Sequence, residues 1–247
     1  MIPAEFKDYL EQTFLKNNLS HYLTPKLCEQ FYQLSVQMMQ TGAVMNLTAL
    51  RDEKQIITRH FADCLLAAPY LPEGPCRLLD VGSGSGMPAL PFALVRPDIS
   101  VTALDSTAKK TAYIAQAARN LELSNLQVLT GRAEELGADP AYRETFDVVC
   151  ARAVAELRIL LEWCIPFLKT GGIFIALKGK NAKEEQKAAE NAFSKLSCIL
   201  AKERNICLYE PNRPDEKIER NIFIIQKMAS TDKKYPRRNA QITKKPL

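Results

Sequence analysis

The sequence predicts an α/β fold in which a mostly parallel sheet is covered by helices and preceded by a helical extension. From residue 77 onwards, five short apolar runs alternate with stretches of helical spacing, and this alternation is typical of parallel strands joined by helices. The first third of the chain has helical spacing alone. We therefore expect a helical extension over residues 1–72, a core domain over 73–228 and a basic tail over 229–247.

Two amphipathic patterns predict the helices of the extension. Apolar residues recur three and four positions apart over residues 23–38, which is the spacing of one helix face. Thr24 followed by Pro25 is a good helix start, because it offers an N-cap and then proline at the first helical position. A second pattern covers residues 53–68, and two prolines close it. We expect both helices to pack on the core domain.

Five strand-like runs predict the sheet of the core domain. They are RLLDV, VTALD, LQVLTG, FDVVCA and GIFIALKG, and they begin at residues 77, 101, 126, 146 and 172. A further helix is predicted after them, over residues 181–196. Two last strands follow, ICLYE and NIFIIQKM. The link between them, PNRPDEKIER, is short and polar, which favours an antiparallel return over a crossover.

Composition indicates a globular protein without a membrane span. Apolar residues occupy 47% of the 247 positions, which is enough for a core, and no apolar run approaches the ~20 residues that cross a bilayer. The N-terminus is acidic where a signal peptide would be basic and then apolar. We expect a soluble, cytoplasmic protein without membrane contacts. Nothing marks a dimer surface, so the oligomeric state stays open and a monomer is expected.

The cysteines favour buried, reduced thiols over a metal site. There are seven of them, and none forms a C-x-x-C pair. With two histidines in the chain, a zinc site has few possible ligands. Most of the cysteines lie within apolar patterns, as free cysteines commonly do. We expect no metal.

The excess positive charge lies in the C-terminal tail. From Asp232 to the end there are six basic residues against one acidic residue, a net of +5 that equals the charge of the whole chain. The tail lacks apolar periodicity, and we expect it to be mobile when no partner is bound. Two interpretations stay open: solvated charge that maintains solubility, or contact with RNA phosphates. The second assigns RNA contacts to Lys233, Lys234, Tyr235, Arg237, Arg238, Lys244 and Lys245, with Tyr235 able to stack on a base.

A glycine-rich turn follows the first strand. In DVGSGSG the glycines are Gly82, Gly84 and Gly86, so the last one comes one residue earlier than in the G-x-G-x-x-G of dinucleotide-binding folds. Such a turn lets a ligand approach the backbone at a helix N-terminus. Asp105 ends the second strand and is suited to accept hydrogen bonds from ribose hydroxyls. Three interpretations stay open: a methyltransferase, a nucleotide-dependent oxidoreductase, and a turn of small residues without a ligand.

The G-x-G-x-G turn resembles motif I of the class I S-adenosylmethionine-dependent methyltransferases, which have a Rossmann-like, mostly parallel sheet. More specific stretches resemble the RsmG (GidB) family, the bacterial 16S rRNA guanine-N7 methyltransferases. They occur in one order from about residue 20 to the C-terminus: MNLTALRD, RHFADCLL, DVGSGSGMPALPFALVRPD, LDSTAKK, RAEEL, ARAVAEL, ALKGK and the final YPRR…KKPL. The resemblance implies S-adenosyl-L-methionine as cofactor and the 16S rRNA of the small ribosomal subunit as partner.

The resemblance also implies roles for single residues. Gly82 and the neighbouring glycines Gly84 and Gly86 would form the cofactor loop, and Met87 would contact the cofactor. Asp105 would hold the ribose, and Ala133 and Glu134 would lie by the adenine. Arg152 would sit at the cofactor pocket and face the substrate. Four positions depart from the common family pattern: Cys64, Ala89, Asn239 and Ala240. The last two lie in the tail and leave the RNA contacts open.

The chemistry of this reaction needs no general base. Guanine N7 carries a lone pair at neutral pH, and no proton has to leave before it attacks a methyl group. The enzyme would act mainly by holding the reacting atoms in line. A base within reach of the pocket has to be exposed, so a loop or a partly unstacked nucleotide is the expected target.

Four further residues carry a functional and a structural interpretation. Arg152 and Lys178 end or follow predicted strands, on the ligand-binding edge of an open α/β sheet. They are candidates to orient RNA phosphates or the guanine, while Lys178 is alternatively a solvated strand-end lysine. His60 is interpreted as a helix-packing histidine, and Asn46 as a residue that stabilises the loop before the second helix.

Two rival functions stay open. The first is methyl transfer to a protein or small molecule, which would not require a cationic tail. The second is a non-catalytic RNA-binding scaffold, which would not require the glycine turn and Asp105.

Overall fold

A seven-stranded β-sheet forms the centre of the protein in a computed structural model, which describes residues 2–45 and 52–247. In chain order, the strands are β1 (Arg77–Val81), β2 (Ser100–Asp105), β3 (Leu126–Thr130), β4 (Phe146–Arg152), β5 (Leu168–Lys178), β6 (Cys198–Glu210) and β7 (Arg213–Lys227). They lie side by side in the order β3-β2-β1-β4-β5-β7-β6. The first five run parallel, and β7 is antiparallel to both β5 and β6. The predicted α/β class with a mostly parallel sheet is confirmed.

Both faces of the sheet are covered, as its sequence pattern requires. Side chains of successive strand residues point to opposite faces. Leu78 accordingly belongs to one buried apolar cluster, and its neighbour Leu79 belongs to another. The same alternation occurs at Val148 and Val149 on β4. Strands buried on both faces need near-continuous apolar residues, which explains the short apolar runs in the sequence.

Helices form the two layers outside the sheet. The described part of the chain has eleven α-helical segments: α1 (Ala4–Lys16), α2 (Pro25–Met45), α3 (Glu53–Ile56), α4 (Asp63–Leu65), α5 (Ala89–Val95), α6 (Ala108–Asn120), α7 (Ala133–Leu136), α8 (Leu157–Cys164), α9 (Ala182–Ala188), α10 (Glu190–Lys195) and α11 (Asn239–Lys244). The start predicted for the second of them is correct, since Thr24 Oγ1 accepts a hydrogen bond from the Leu27 amide at 3.2 Å.

The first helices share an apolar core with the sheet. Phe14, Phe31 and Phe61 are fully buried and form a row of rings whose centroids are 5.5 and 5.0 Å apart. They belong to the same cluster as Leu78 of β1. The division of the chain at 72/73 and 228/229 stays a prediction, and this shared cluster means that the first helices and the sheet bury one another.

The second predicted helix contains a wider turn. Asp52 caps α3 by accepting a hydrogen bond from the Lys54 amide at 3.2 Å. Residues Ile57–Ala62 are then π-helical, and α4 follows directly. Single π-turns inside helices occur frequently at functional sites, and this one carries His60. The interpretation of Asn46 concerns a residue outside the described ranges.

The link predicted between the last two strands is wrong. Only Pro211 and Asn212 separate β6 from β7, and most of the polar segment PNRPDEKIER belongs to β7. The antiparallel pairing itself is confirmed, with Ile206 opposite Arg220. The segment resembles a loop in sequence because residues 213–220 of β7 pair with the edge strand β6 alone and extend beyond β5. Charged residues there meet solvent and discourage pairing with other chains.

The tail is folded back onto the core domain, so the expectation of a mobile segment is wrong. Arg143 donates hydrogen bonds to the carbonyls of Thr231 and Tyr235, at 2.6 and 2.8 Å. Tyr235 is buried, and Ile242 of α11 is fully buried. Periodicity did not reveal this order because backbone carbonyls and single side chains, not a continuous apolar face, hold the segment.

An ion pair connects the tail to α8. Glu162 is fully buried, and it receives three hydrogen bonds from Arg237: from the backbone amide at 2.9 Å, from Nε at 2.8 Å and from Nη2 at 2.6 Å. These hydrogen bonds raise the pKa of Arg237. A carboxylate without contact to water needs such partners. Arg237 therefore holds the tail in position.

The cysteines are free thiols, as expected. Five of the seven are buried, and Cys76 and Cys207 are partly buried. Among residues 2–45 and 52–247, no cluster of metal-ligating side chains is present. In the same ranges, every helix is too short or too polar to traverse a bilayer.

We expect Arg237→Ala to lower the free energy of unfolding by about 3 kcal/mol, because it leaves the buried Glu162 carboxylate without its partner. The measurement is urea unfolding followed by tryptophan fluorescence. Trp163 is the only tryptophan in the chain and adjoins Glu162, so it reports on this contact.

The matched control is Arg238→Ala. Arg238 is the next residue and is exposed, so we expect its replacement to change the free energy of unfolding by no more than ~0.5 kcal/mol. Equal effects of the two substitutions would contradict the role of the Glu162 pair.

Candidate active site

A cavity of about 730 Å³ opens at the carboxyl ends of β1, β2, β3 and β4. The sheet order reverses there, because β1 has β2 on one side and β4 on the other. Ligands of open α/β sheets bind at such a switch point. Four segments that follow these strands line the cavity, together with side chains from elsewhere: residues 82–85, 104–107, 131–134 and 152–154, with His60, Met87, Lys110, Trp163 and Asn239.

The glycine turn requires glycine at specific positions. Gly82, Gly84 and Gly86 have φ angles of +74°, +60° and +83°, a region that L side chains rarely adopt. A Cβ at Gly82 would lie 2.7 Å from Val154 Cγ2, and a Cβ at Gly86 would overlap Leu90. Gly82 and Gly84 line the cavity, while Gly86 is packed below it. The turn thus exposes its backbone to a ligand at Gly82 and Gly84.

A buried carboxylate holds this turn from beneath. Asp80 Oδ2 accepts hydrogen bonds from Ser83 Oγ at 2.5 Å and from the Ala89 amide at 3.2 Å. Asp80 is fully buried, and this burial raises its pKa to about 6, although both hydrogen bonds favour the charged form. The same side chain therefore ties the end of β1 to the turn and to the start of α5.

Asp105 joins the turn to the end of β2. Its Oδ2 accepts a hydrogen bond from the Gly84 amide at 3.0 Å, and its Oδ1 accepts one from the Thr107 amide at 2.9 Å. Lys110 Nζ lies 3.8 Å from Oδ2. The carboxylate lines the cavity and still has unused acceptor capacity, so it can also accept hydrogen bonds from a ligand's hydroxyl groups.

The positions after β3 reach the same cavity. Ala133 and Glu134 open α7 and line the cavity beside Arg132. The Glu134 side chain is 8% exposed, and its Oε1 lies 3.9 Å from Arg132 Nη1. Met87 is buried and lines the cavity as well. These residues gather at one cavity because the parallel strands end at the same edge of the sheet.

Arg152 lies at the end of β4 and is held in one orientation. Its Nη1 donates hydrogen bonds to the Arg59 carbonyl at 3.0 Å and to Asp63 Oδ2 at 3.1 Å. The other oxygen of Asp63 accepts a hydrogen bond from Arg220 Nε at 2.6 Å. The buried Asp63 carboxylate thus accepts hydrogen bonds from two guanidinium groups. The Arg152 side chain is 15% exposed and lines the cavity.

His60 completes this group of side chains. Its Nδ1 lies 3.0 Å from Arg152 Nη2, and because a guanidinium can only donate, Nδ1 is the acceptor. The neutral ring then carries its proton on Nε2. Burial, with a contribution from the positive charge of Arg152, lowers the pKa of His60 to about 3. His60 is thus a neutral side chain at the cavity wall, a role that exceeds helix packing alone.

Lys178 does not line the cavity. Its Nζ lies 2.5 Å from Glu185 Oε2 and donates a hydrogen bond to the Ala155 carbonyl at 2.8 Å. Only 7% of its side chain is exposed, so the alternative of a solvated lysine is wrong. That Lys178 orients RNA phosphates or a guanine stays a prediction; in this structure its ammonium group contacts the turn after β4 and α9.

The predicted RNA-contact residues divide into two groups. Tyr235 is 5% exposed and cannot offer its ring to a base in this structure, and Arg237 is committed to Glu162. Both RNA contacts stay predictions, and in this structure the folded tail uses these two side chains internally. The other five side chains are exposed: Lys233, Lys234, Arg238, Lys244 and Lys245.

Trp163 and Asn239 are among the cavity residues that the sequence analysis missed. Trp163 lies on α8 and Asn239 opens α11, and both line the cavity. Neither follows a strand, so neither had a positional signal. Asn239 reaches the cavity because the tail folds back, and the only hint in the sequence was its departure from a family pattern.

Comparisons with known proteins agree with this geometry. The family model described as "rRNA small subunit methyltransferase G" (GidB) matches residues 27–208. A ribosomal RNA small subunit methyltransferase G from Acetivibrio thermocellus is 38% identical over 89% of this chain and 88% of its own length. The protein of the same name from Oceanobacillus iheyensis is 37% identical over 91% and 93%.

Solved structures resemble the fold. A ribosomal protein L11 methylase from Lactobacillus delbrueckii subsp. bulgaricus has a TM-score of 0.51 at 17% identity, over 69% of this chain and 79% of its own. A SAM-dependent methyltransferase from Methanosarcina mazei also has a TM-score of 0.51, at 18% identity, over 67% and 98%. At these identities the likeness concerns the fold alone.

We expect Asp80→Asn to remove a pH-dependent cost of folding. The folded-state pKa of about 6 lies above the ordinary value of 3.8, so the folded protein binds the proton more tightly, and this side chain makes folding less favourable as pH rises from about 4 to about 6. Relative to the wild type, the variant should therefore gain about 2 kcal/mol of unfolding free energy between pH 4 and pH 7.

The measurement is urea unfolding of both proteins at several pH values. Asn still offers an oxygen to Ser83 and Ala89, so the turn keeps its hydrogen bonds. A difference in unfolding free energy that stays constant with pH would contradict the assignment.

Proposed function

The chain belongs to the family of rRNA small subunit methyltransferase G (GidB), and on that premise we propose that it methylates N7 of a specific guanine in the 16S rRNA of the small ribosomal subunit. Membership of the family supports rRNA methylation in general, without naming the methylated atom. The cofactor is S-adenosyl-L-methionine, which supplies a methyl group on a positively charged sulfur. The observation that favours N7 is the absence of an available general base among the described side chains that border Arg152.

The cavity fits the cofactor. Its volume of about 730 Å³ lies within the usual 300–1,000 Å³ of small-molecule sites. Gly82 and Gly84 offer a bare backbone to the methionine part, and Met87 is the neighbouring apolar contact. Asp105 is suited to the ribose hydroxyls. Residues Ala133 and Glu134, with the adjoining amides at the start of α7, are suited to the adenine.

The side chains around Arg152 are unsuited to proton removal. His60 has a pKa of about 3, and its Nδ1 already accepts from Arg152. Asp63 is shared between Arg152 and Arg220. General bases work best with a pKa near the operating pH, and His60 does not meet that condition. Both oxygens of Asp63 already accept hydrogen bonds from guanidinium groups. A methyl acceptor at this position needs to be nucleophilic without losing a proton.

Guanine N7 meets that requirement, because it is an unprotonated acceptor at neutral pH. Methylation then depends on holding N7, the methyl carbon and the sulfur in line, and placement of two reactants can contribute roughly 7–11 kcal/mol. Arg152 is held by three acceptors, so its orientation is fixed before a substrate arrives. We assign it the task of orienting the guanine.

The exposed cations of the tail are suited to RNA phosphates. Lys233, Lys244 and Lys245 are exposed, and α11, which carries Lys244, begins at the cavity residue Asn239. Phosphate contacts set affinity and register, while base contacts set specificity. The tail would thus bind RNA close to the cavity. We also propose that the protein acts as a monomer in the cytoplasm.

The test of the N7 assignment is the identity of the methylated nucleoside. Unmethylated small subunits are incubated with the protein and labelled S-adenosylmethionine, and the RNA is digested to nucleosides. We expect the label in 7-methylguanosine. A transcript of the same RNA made with 7-deazaguanosine, which lacks N7, should accept no label while the guanosine transcript in matched particles does.

Each other outcome contradicts part of the proposal. Label in a different methylated nucleoside would overturn N7 and leave rRNA methylation. Label in a ribosomal protein would favour a methyltransferase for another substrate. Cofactor binding without transfer to any component would favour the non-catalytic scaffold.

We expect removal of the tail charges to reduce the salt dependence of RNA binding. The variant replaces Lys233, Lys244 and Lys245 with glutamine. The logarithm of its RNA association constant should fall less steeply with the logarithm of the salt concentration, with a slope smaller in magnitude by about 0.7–0.9 for each phosphate that these lysines neutralise. The matched control replaces Lys183, Lys187 and Lys195, which are exposed on α9 and α10. Equal slopes for the two triple variants would favour the interpretation of the tail as solubilising charge.

A further inference from the structure

Three residues of the cavity wall have a buried polar atom that lacks a hydrogen-bond partner, as judged within residues 2–45 and 52–247: Arg152, Trp163 and Asn239. Arg152 Nε belongs to the guanidinium described above, and the other two atoms are Trp163 Nε1, a donor, and Asn239 Oδ1, an acceptor. Buried polar atoms without partners are uncommon in folded proteins and cost roughly 1–3 kcal/mol each. Both residues line the cavity described above. A ligand there is therefore a natural partner for both atoms.

Asn239 marks a particular end of the cavity. It borders the cavity together with Arg132 and Glu134 of the segment after β3. The same three residues also line a neighbouring depression of about 490 Å³, which the tail residues 236–238 help to form. Asn239 therefore lies at the β3 end, where Ala133 and Glu134 are suited to the adenine.

One interaction fixes the position of both residues. Glu162 on α8 precedes Trp163, and Arg237 in the tail precedes Asn239 by two residues. The buried pair Glu162–Arg237, with Oε2 to Nη2 at 2.6 Å, joins these two segments. Because Glu162 is fully buried, dissolved salt screens this ion pair less than it screens an exposed pair.

We propose that Asn239 and Trp163 recognise the adenine base of the cofactor, which makes the C-terminal tail part of the cofactor site. This inference rests on the proposed function. The 6-amino group of adenine is a donor that matches Asn239 Oδ1, and its ring nitrogens are acceptors that match Trp163 Nε1.

The proposal assigns a specificity role to a residue of the tail, separate from any phosphate contact by its exposed lysines. A base that carries oxygen in place of the 6-amino group would oppose Asn239 Oδ1 with a second acceptor. Sites that hydrogen-bond a polar group reject analogues that lack it, because the protein atom then stays unpaired.

The test compares the binding of S-adenosylhomocysteine with that of S-inosylhomocysteine, which has the 6-oxo group. Binding is measured by calorimetry and by quenching of Trp163, the single tryptophan. We expect the wild type to prefer the adenosyl compound by at least ~10-fold, and Asn239→Ala to bind it about 10-fold more weakly with little remaining preference. Asn239→Asp, which keeps an acceptor, should retain the preference.

The matched control is Gln241→Ala, an exposed position on the same helix, and it should behave as the wild type. Full affinity and preference in Asn239→Ala would overturn the proposal. A wild type that binds neither compound would overturn it together with the assigned cofactor. A wild type that binds and discriminates as expected, but methylates no rRNA, would support this inference and overturn only the proposed function.

Discussion

The hydrogen bonds of the buried Asp80 carboxylate are the interaction on which the site depends. The side chain joins three pieces of backbone: the end of β1, the glycine turn through Ser83, and the start of α5 through Ala89. A carboxylate removed from water is costly unless it is hydrogen-bonded, and its raised pKa of about 6 reflects that cost. At neutral pH the desolvation of the ionised Asp80 therefore lowers stability, while its hydrogen bonds fix the geometry of the turn. The glycines allow the backbone angles of this turn, and Asp80 stabilises it.

The opposite wall of the cavity depends on the N-terminal helices. Arg59, His60 and Asp63 come from the π-helical turn and α4, and together they hold the guanidinium of Arg152. Their backbone is held in turn by the aromatic row that ends at Phe61. The first helices thus complete the site rather than merely cover the sheet. A core domain without them would leave Arg152 at the cavity with a free choice of rotamer.

The sequence predicted the parts of the site that follow from local position. Gly82, Asp105 and Arg152 each lie at or just after a strand end, and parallel strands bring their ends together whatever lies between them. Partners from distant segments had no such signal. Asp63 is 89 residues from Arg152, and spacing in the sequence did not indicate the ion pairs of Lys178 with Glu185 and of Arg237 with Glu162. Whether a cation faces solvent or a carboxylate depends on packing, which spacing in the sequence does not encode.

The tail illustrates why charge alone was a poor guide to mobility. Its neighbouring residues Arg237 and Arg238 have the same charge, but the first is bound to Glu162 and the second is exposed. The internal contacts order the segment before any RNA arrives, so RNA binding does not bear the full entropy cost of ordering it. The exposed cations then lie on a surface that is already folded against the cofactor cavity. Under the proposed function, a segment that resembles a flexible arm in the sequence would contact the cofactor with one side and the nucleic acid with the other.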